Sequence, residues 1–112
     1  MTSEGSTHGR FTRAIQQGNL WAAEMAAREL RGLALDDALD LVALLARSRP
    51  DRLERAAIRW HGRLEVESQM LTIAEAQFAL AALARLPDDP RAKAMLEKLL
   101  RKASPTLVRR MS

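Results

Sequence analysis

The residues best suited to chemistry are four arginines in one segment, because a guanidinium group presents a planar fork of donors that suits phosphate or carboxylate. At about 100° per residue in a helix, they fall in one stripe beside an apolar face: Arg52, Arg55, Arg59 and Arg63. Asp51 can pair with Arg55 one helical turn away. Glu67 can reach Arg63 in the same way, which leaves the other two arginines without a local partner. The stripe predicts either a binding surface or solvated arginines whose stems cover a core edge.

A second group of basic residues lies in residues 91–112. This segment holds seven basic residues and one acidic residue, a net of +6, whereas residues 1–90 hold 11 basic and 13 acidic residues, a net of −2. The group either contacts nucleic-acid phosphates or forms a helix end and a solubilising tail: Arg91, Lys93, Lys98, Arg101, Lys102, Arg109 and Arg110. The preceding turn, residues 87–90, has no glycine and has two carboxylates, which is unfavourable for a DNA-binding helix-turn-helix.

Histidine and carboxylate residues give weaker signals. His61 and Glu65 have a spacing that can place two metal ligands on one helix face. Only His8 could add another imidazole, so we expect no metal site. Three aspartates begin a predicted helix, and stabilisation of its positive N-terminal end explains them sufficiently: Asp36, Asp37 and Asp40.

No catalytic constellation emerges from the sequence. The lack of cysteine excludes thiolate catalysis, thiolate zinc ligands and disulfides. The sequence has neither a nucleophile-elbow serine nor a glycine-rich phosphate loop, and Glu54 and Glu65 share a helix face without an evident cleft. We therefore expect a protein that is not an enzyme and that has no cofactor and no small-molecule substrate.

The composition predicts that helices position these residues. The 112 residues include 20 Ala and 18 Leu, which favour helix, but only two Phe and no Tyr. Apolar periodicity, caps and breakers predict helices over about six ranges: residues 7–17, 20–31, 36–47, 50–68, 73–86 and 91–103. The predicted fold class is all-α, with about six short antiparallel helices in three hairpins.

Local signals define several helix ends. Gly18 is suited to end the first helix in the left-handed conformation, and Asn19 is suited to cap the next helix. Thr72 and Glu75 have the spacing of a capping box. The helix that follows them, over residues 73–86, is apolar nearly all round, and we expect it to be mostly enclosed.

The helix over residues 50–68 is the one around which we expect the others to pack. Trp60 is either part of its buried side or an anchor beside the arginines. Ile58 lies roughly 140° from the centre of the buried side, and Trp21 lies off the alanine side of its own helix. Met70 and Leu71 are similarly hard to bury. If exposed, such residues mark an interaction surface; otherwise a second neighbouring helix covers them.

Three segments share a pattern of small and apolar residues: AIQQGNLWAAEMAARE, LDDALDLVALLA and IAEAQFALAALARL. At the level of helix pairs, over residues 10–102, the pattern resembles the helix-turn-helix solenoids of the tetratricopeptide and HEAT types. The resemblance implies a helical-repeat-like bundle and assigns no functional residue.

The organisation that we expect is one domain over residues 7–103, between a flexible N-terminus (1–6) and a basic tail (104–112). The sequence shows no signal peptide and no run of about 18 apolar residues, which predicts a cytoplasmic protein without membrane contact.

The function favoured by these observations is a non-enzymatic protein–protein interaction module, either an adaptor for an unidentified protein or a homodimer. Six residues are candidates for its interaction surface: Arg52, Arg55, Ile58, Arg59, Arg63 and Trp21. The alternative is a nucleic-acid-binding accessory or regulatory protein that uses the C-terminal basic group and the arginine stripe.

Overall fold

The structure, a computed structural model, describes residues 6–68 and 70–103. These residues form six α-helices and no strand, which confirms the all-α prediction: α1 (Thr7–Gln17), α2 (Leu20–Glu29), α3 (Leu35–Ser48), α4 (Leu53–Glu67), α5 (Ile73–Ala84) and α6 (Ala92–Ala103). The predicted ends differ from these by at most three residues. The predicted tail, with Arg109 and Arg110, lies outside the described residues.

The chain divides into two compact units, residues 1–33 and 34–112. The single domain predicted over residues 7–103 stays a prediction. In the first unit, α1 and α2 contact each other. Gly18 ends α1 with a φ of +70°, and the Asn19 side chain accepts a hydrogen bond from the Ala22 amide at 3.0 Å. Both predicted ends are therefore confirmed, because each depends on backbone chemistry within a few residues.

The second unit contains the remaining four helices, which contact one another in a ring. Helix α3 contacts α4, α4 contacts α5, α5 contacts α6, and α6 contacts α3. One stripe of each helix enters a shared apolar core. Because each stripe covers only part of a helix, every helix also has an outward side.

Trp60, in the middle of α4, is one of the largest side chains of this core and is only 3% exposed. Its indole Nε1–H donates a hydrogen bond to the carbonyl oxygen of Leu35 at 3.0 Å. A buried indole needs such an acceptor, because an unsatisfied N–H is costly in an apolar interior. Trp60 is therefore a core residue that also fixes α4 against the first residue of α3.

The capping box at the start of α5 is confirmed. The Glu75 amide donates to the Thr72 hydroxyl and the Thr72 amide donates to the Glu75 carboxylate, each at 3.1 Å. The expectation that this helix is mostly enclosed is wrong, because its outward side carries Ile73, which is 80% exposed, and Leu80, which is 47% exposed. An all-round apolar helix gives no contrast from which its buried side could be predicted.

The acidic start of α3 also differs from expectation. Asp36 and Asp37 lie in its first turn, as predicted, but both side chains are buried. The Asp37 amide donates to the Asp36 carboxylate at 2.9 Å. A helix-dipole role accounts for their position but does not predict burial.

Truncation of Trp60 tests its place in the core. We expect Trp60→Ala to lower the free energy of unfolding by about 3–5 kcal/mol, because it leaves a large cavity in the core. Trp21→Ala is the matched control, since Trp21 is 72% exposed and its loss should cost no more than about 0.5 kcal/mol. Urea denaturation followed by circular dichroism measures both. Equal, small effects would contradict the assignment of Trp60 to the core.

Candidate interaction surfaces

The arginine stripe forms part of an open groove along α4, with a volume of about 680 Å³. Four of the predicted surface residues line it together: Arg52, Arg55, Ile58 and Arg59. Asp51 and Glu54 also line the groove, so both signs of charge are present. The sequence therefore identified a set of residues that the fold does bring together.

An apolar line runs beside these arginines on the outward side of α4. Ile58 is 59% exposed and Val66 is 85% exposed. Gly62 lies between them, one helical turn from each. A Cβ atom added at Gly62 would meet nothing within 4 Å, so packing within the chain does not require glycine there. We call Ile58, Gly62 and Val66 the α4 line.

Ion pairs neutralise part of the arginine stripe. Arg63 pairs with Glu67 through two hydrogen bonds of 2.7 and 3.2 Å, as predicted. The predicted pair between Asp51 and Arg55 is wrong, because Asp51 lies in a 3-10 turn, Pro50–Arg52, before α4 begins. Its carboxylate instead accepts from Arg49 at 3.0 and 3.1 Å.

Of the other three arginines of the stripe, Arg52 lies near a carboxylate, and Arg55 and Arg59 do not form ion pairs within the described residues. The hydrogen bonds from Arg49 lower the pKa of Asp51, and the nearby charge of Arg52 lowers it further. The expectation that Arg52 has no local partner is therefore wrong. Arg55 and Arg59 are exposed, and within residues 6–68 and 70–103 neither forms an ion pair. These two guanidinium groups are the ones best placed to meet a carboxylate from outside.

Both ring nitrogens of His61 have partners within the second unit. Its Nε2 atom lies 2.7 Å from the Ala76 carbonyl oxygen, and a carbonyl only accepts, so Nε2 carries the proton. Its Nδ1 atom is 3.6 Å from the Glu65 carboxylate. In the part of the chain that the structure describes, no three histidine, aspartate or glutamate side chains are grouped to hold a metal ion.

The described residues of the C-terminal basic group are mostly paired. Arg91 lies 3.4 Å from the Asp89 carboxylate, and Lys93 contacts Asp40 at 2.9 Å and Glu97 at 2.8 Å. Burial alone would lower the pKa of Lys93, but the bonds to Glu97 and Asp40 raise it above the ordinary lysine value. These pairs reduce the positive charge that the group presents to a phosphate.

Lys102 is paired as well, with the Glu75 carboxylate of the capping box. The bond from Lys102, followed by the bond from the Thr72 amide, lowers the pKa of Glu75. Within the described residues, the two members of the group without an ion pair are Lys98 and Arg101, which lie exposed on α6.

A second apolar surface, which the sequence did not predict, covers the outward side of α5. We call it the α5 face, and it consists of six exposed residues: Ile73, Ala74, Gln77, Leu80, Ala81 and Ala84. Phe78 lies at its edge and is partly exposed. Five of the six residues are apolar, and none is charged. The neighbours of α5, and not its own sequence, determine which side is left uncovered.

Trp21 belongs to the first unit, where it lines an open groove with residues of α1 and α2. The two predicted surface features, Trp21 and the arginine stripe, are therefore on different units.

Comparison of the chain with protein-family models, with curated proteins and with solved structures gave no match. Among the residues described, no helix has the length and apolar character needed to cross a membrane.

Gly62 provides a test of whether the α4 line is needed for folding. Glycine inside a helix is less stable than alanine by roughly 0.5–1 kcal/mol, and the Cβ atom has free space. We expect Gly62→Ala to raise the free energy of unfolding by about that amount in urea denaturation. Gly18→Ala is the control, and we expect it to be destabilising because Gly18 has a positive φ. A destabilised Gly62→Ala variant would mean that glycine serves the fold.

The pairing of Glu75 predicts a pH dependence. Because folding lowers the pKa of Glu75, its contribution to stability is present above the unfolded-state value of about 4.3 and is lost as pH falls through the lower folded value. We expect Glu75→Gln to be less stable than the unmodified protein at pH 7, and the difference to shrink toward pH 3. Urea denaturation at several pH values measures this difference. A difference that does not change with pH would contradict the assigned ion pair.

Proposed function

We propose that the protein is a non-enzymatic protein–protein interaction module and that the α4 line with its flanking arginines binds a partner protein. The observation that carries the proposal is that Ile58 and Val66 are exposed in one line, separated by a glycine that the fold does not require. Exposed apolar residues that lie together, beside charged groups, are typical of binding surfaces.

The chemistry of the surface favours an amphipathic helix with acidic residues. A partner side chain can enter the gap at Gly62, between Ile58 and Val66, in the manner of a helix docked in a groove. Carboxylates of the same helix can then reach Arg55 and Arg59, whose planar groups suit bidentate pairing. Apolar contact supplies affinity, and the two arginines select the acidic partner.

A catalytic function is less well supported by the same surroundings. The imidazole of His61 donates to a backbone carbonyl, and Arg63 is held by Glu67. These polar groups therefore already have structural partners. The adaptor role, the likeness to tetratricopeptide and HEAT repeats and the cytoplasmic location remain part of the proposal.

Nucleic-acid binding is the second candidate. The pairing of Arg91, Lys93 and Lys102 with carboxylates counts against it. Lys98 and Arg101 remain as possible phosphate contacts, and binding through phosphates weakens steeply with salt.

Affinity capture from the cell of origin tests the proposal, with the full chain as bait in extract treated with nuclease. We expect Ile58→Asp to reduce capture of specific proteins by at least about tenfold, because a carboxylate would be desolvated at the centre of the surface. Ala94→Asp is the matched control, since it places the same charge on an exposed position of α6. Circular dichroism confirms that both variants fold.

Equal capture by the two variants would contradict the proposal. Material that is captured only from extract without nuclease, and that is lost in high salt, would instead support the nucleic-acid alternative.

A further inference from the structure

The α5 face is not explained by the fold or by the proposed α4 surface. Helix α5 buries Ala76, Ala79, Ala82 and Leu83. At about 100° per residue, the α5 face lies on the opposite side of the helix. The charged side chains that would ordinarily solubilise such a surface are absent from the face, and Ile73 is 80% exposed.

Charged residues border the face but are not part of it. Glu65 of α4, whose side chain is about half exposed, lines an open groove with Ile73, Gln77 and Leu80. Glu75 is on the same helix, but its carboxylate is held by Lys102 and by the Thr72 amide. Arg85 follows the last residue of α5. Gln77 is the one polar residue of the face, and it lies near the middle. The surface is therefore apolar with a central carboxamide.

We propose that the α5 face binds the same face of a second copy of this chain, with the two α5 helices antiparallel about a twofold axis close to Gln77. The proposal rests on the proposed function, because it names one partner of the interaction module. In a twofold arrangement, residues equally far from Gln77 along the helix lie at the same level in the two copies.

This arrangement places a large residue beside a small one at each level. Ile73 lies level with Ala81 of the second copy, and Leu80 lies level with Ala74. Alternation of large and small side chains lets two helices interdigitate closely without voids. The sizes of the residues on the α5 face are therefore complementary to those of a second, antiparallel α5.

Gln77 satisfies the special requirement of a twofold axis, where a side chain meets itself. A carboxamide has both a donor and an acceptor, so two copies of Gln77 can donate to each other. A carboxylate or an ammonium group at this position would meet a like charge. The residue type at the centre is thus self-complementary.

Charge favours a second copy over a different partner, and the length of α5 limits the affinity. The chain has a net charge of +4, and an uncharged face lets two copies meet without bringing like charges into contact. The twelve residues of α5 span about 18 Å. Such a contact is at the small end of specific interfaces, so we expect dissociation in the micromolar range.

A single engineered cysteine tests the geometry, because the sequence contains none. In the full chain, Gln77→Cys places one thiol near the axis, within reach of its counterpart in the second copy. We expect diamide to convert this variant to a covalent dimer at least about tenfold faster than Ala94→Cys, the control on the outer side of α6. Non-reducing electrophoresis over time measures both rates at tens of micromolar protein.

Sedimentation equilibrium of the cysteine-free chain is the second measurement. We expect a dimer at tens of micromolar and a monomer after Leu80→Glu, which introduces like charges into the interface. Equal cross-linking rates for the two cysteine variants, or a monomer at every concentration, would overturn the proposal. The two proposals fail in different experiments. If the α5 face does not dimerise, the effect of Ile58→Asp on protein capture is unchanged. If the α4 surface does not bind a partner, only that capture experiment shows it.

Discussion

The hydrogen bond from the Trp60 indole to the Leu35 carbonyl is the contact on which the second unit depends. It joins the middle of α4 to the first residue of α3. Trp60 supplies a large buried surface only if its N–H is satisfied, and the Leu35 carbonyl is the acceptor. Once α3 and α4 are fixed in this way, α5 and α6 complete a ring around the same core.

A ring of four helices leaves an outward side on each helix, and these sides are not alike. On α6 the outward side carries Lys98 and Arg101, as expected for a surface in water. On α4 and α5 the outward sides carry Ile58, Val66 and Ile73. The core is already complete without these residues, and the binding contacts that we propose would cover them.

Local chemistry made much of the fold predictable from sequence. Gly18, Asn19 and the capping box at Thr72 each act within a few residues, so the helix ends they define were predicted correctly. Helical periodicity placed Trp60 on the apolar side of α4, but it left open whether the residue is core or an anchor; the structure shows that it is buried. The amphipathic pattern of α4 is strong enough to separate its two sides.

What could not be predicted depends on distant residues. The pairing of Lys93 with Asp40 joins two helices far apart in sequence. The neighbouring helices determine which side of α5 is exposed, because the helix itself carries alanine and leucine on all sides. Asp51 pairs with Arg49 because the chain forms a 3-10 turn before α4, where helical spacing does not apply.

If the outward apolar residues of α4 and α5 serve binding, as we propose, the chain folds without them. The most direct measurement is urea denaturation, at submicromolar concentration, of a variant in which Ile58, Val66, Ile73 and Leu80 are all replaced by Gln. Glutamine keeps helix propensity, and low concentration removes any contribution from self-association. We expect a cooperatively folded chain whose free energy of unfolding falls by no more than about 2 kcal/mol. An unfolded chain, or a loss of more than about 4 kcal/mol, would show that these residues belong to the fold.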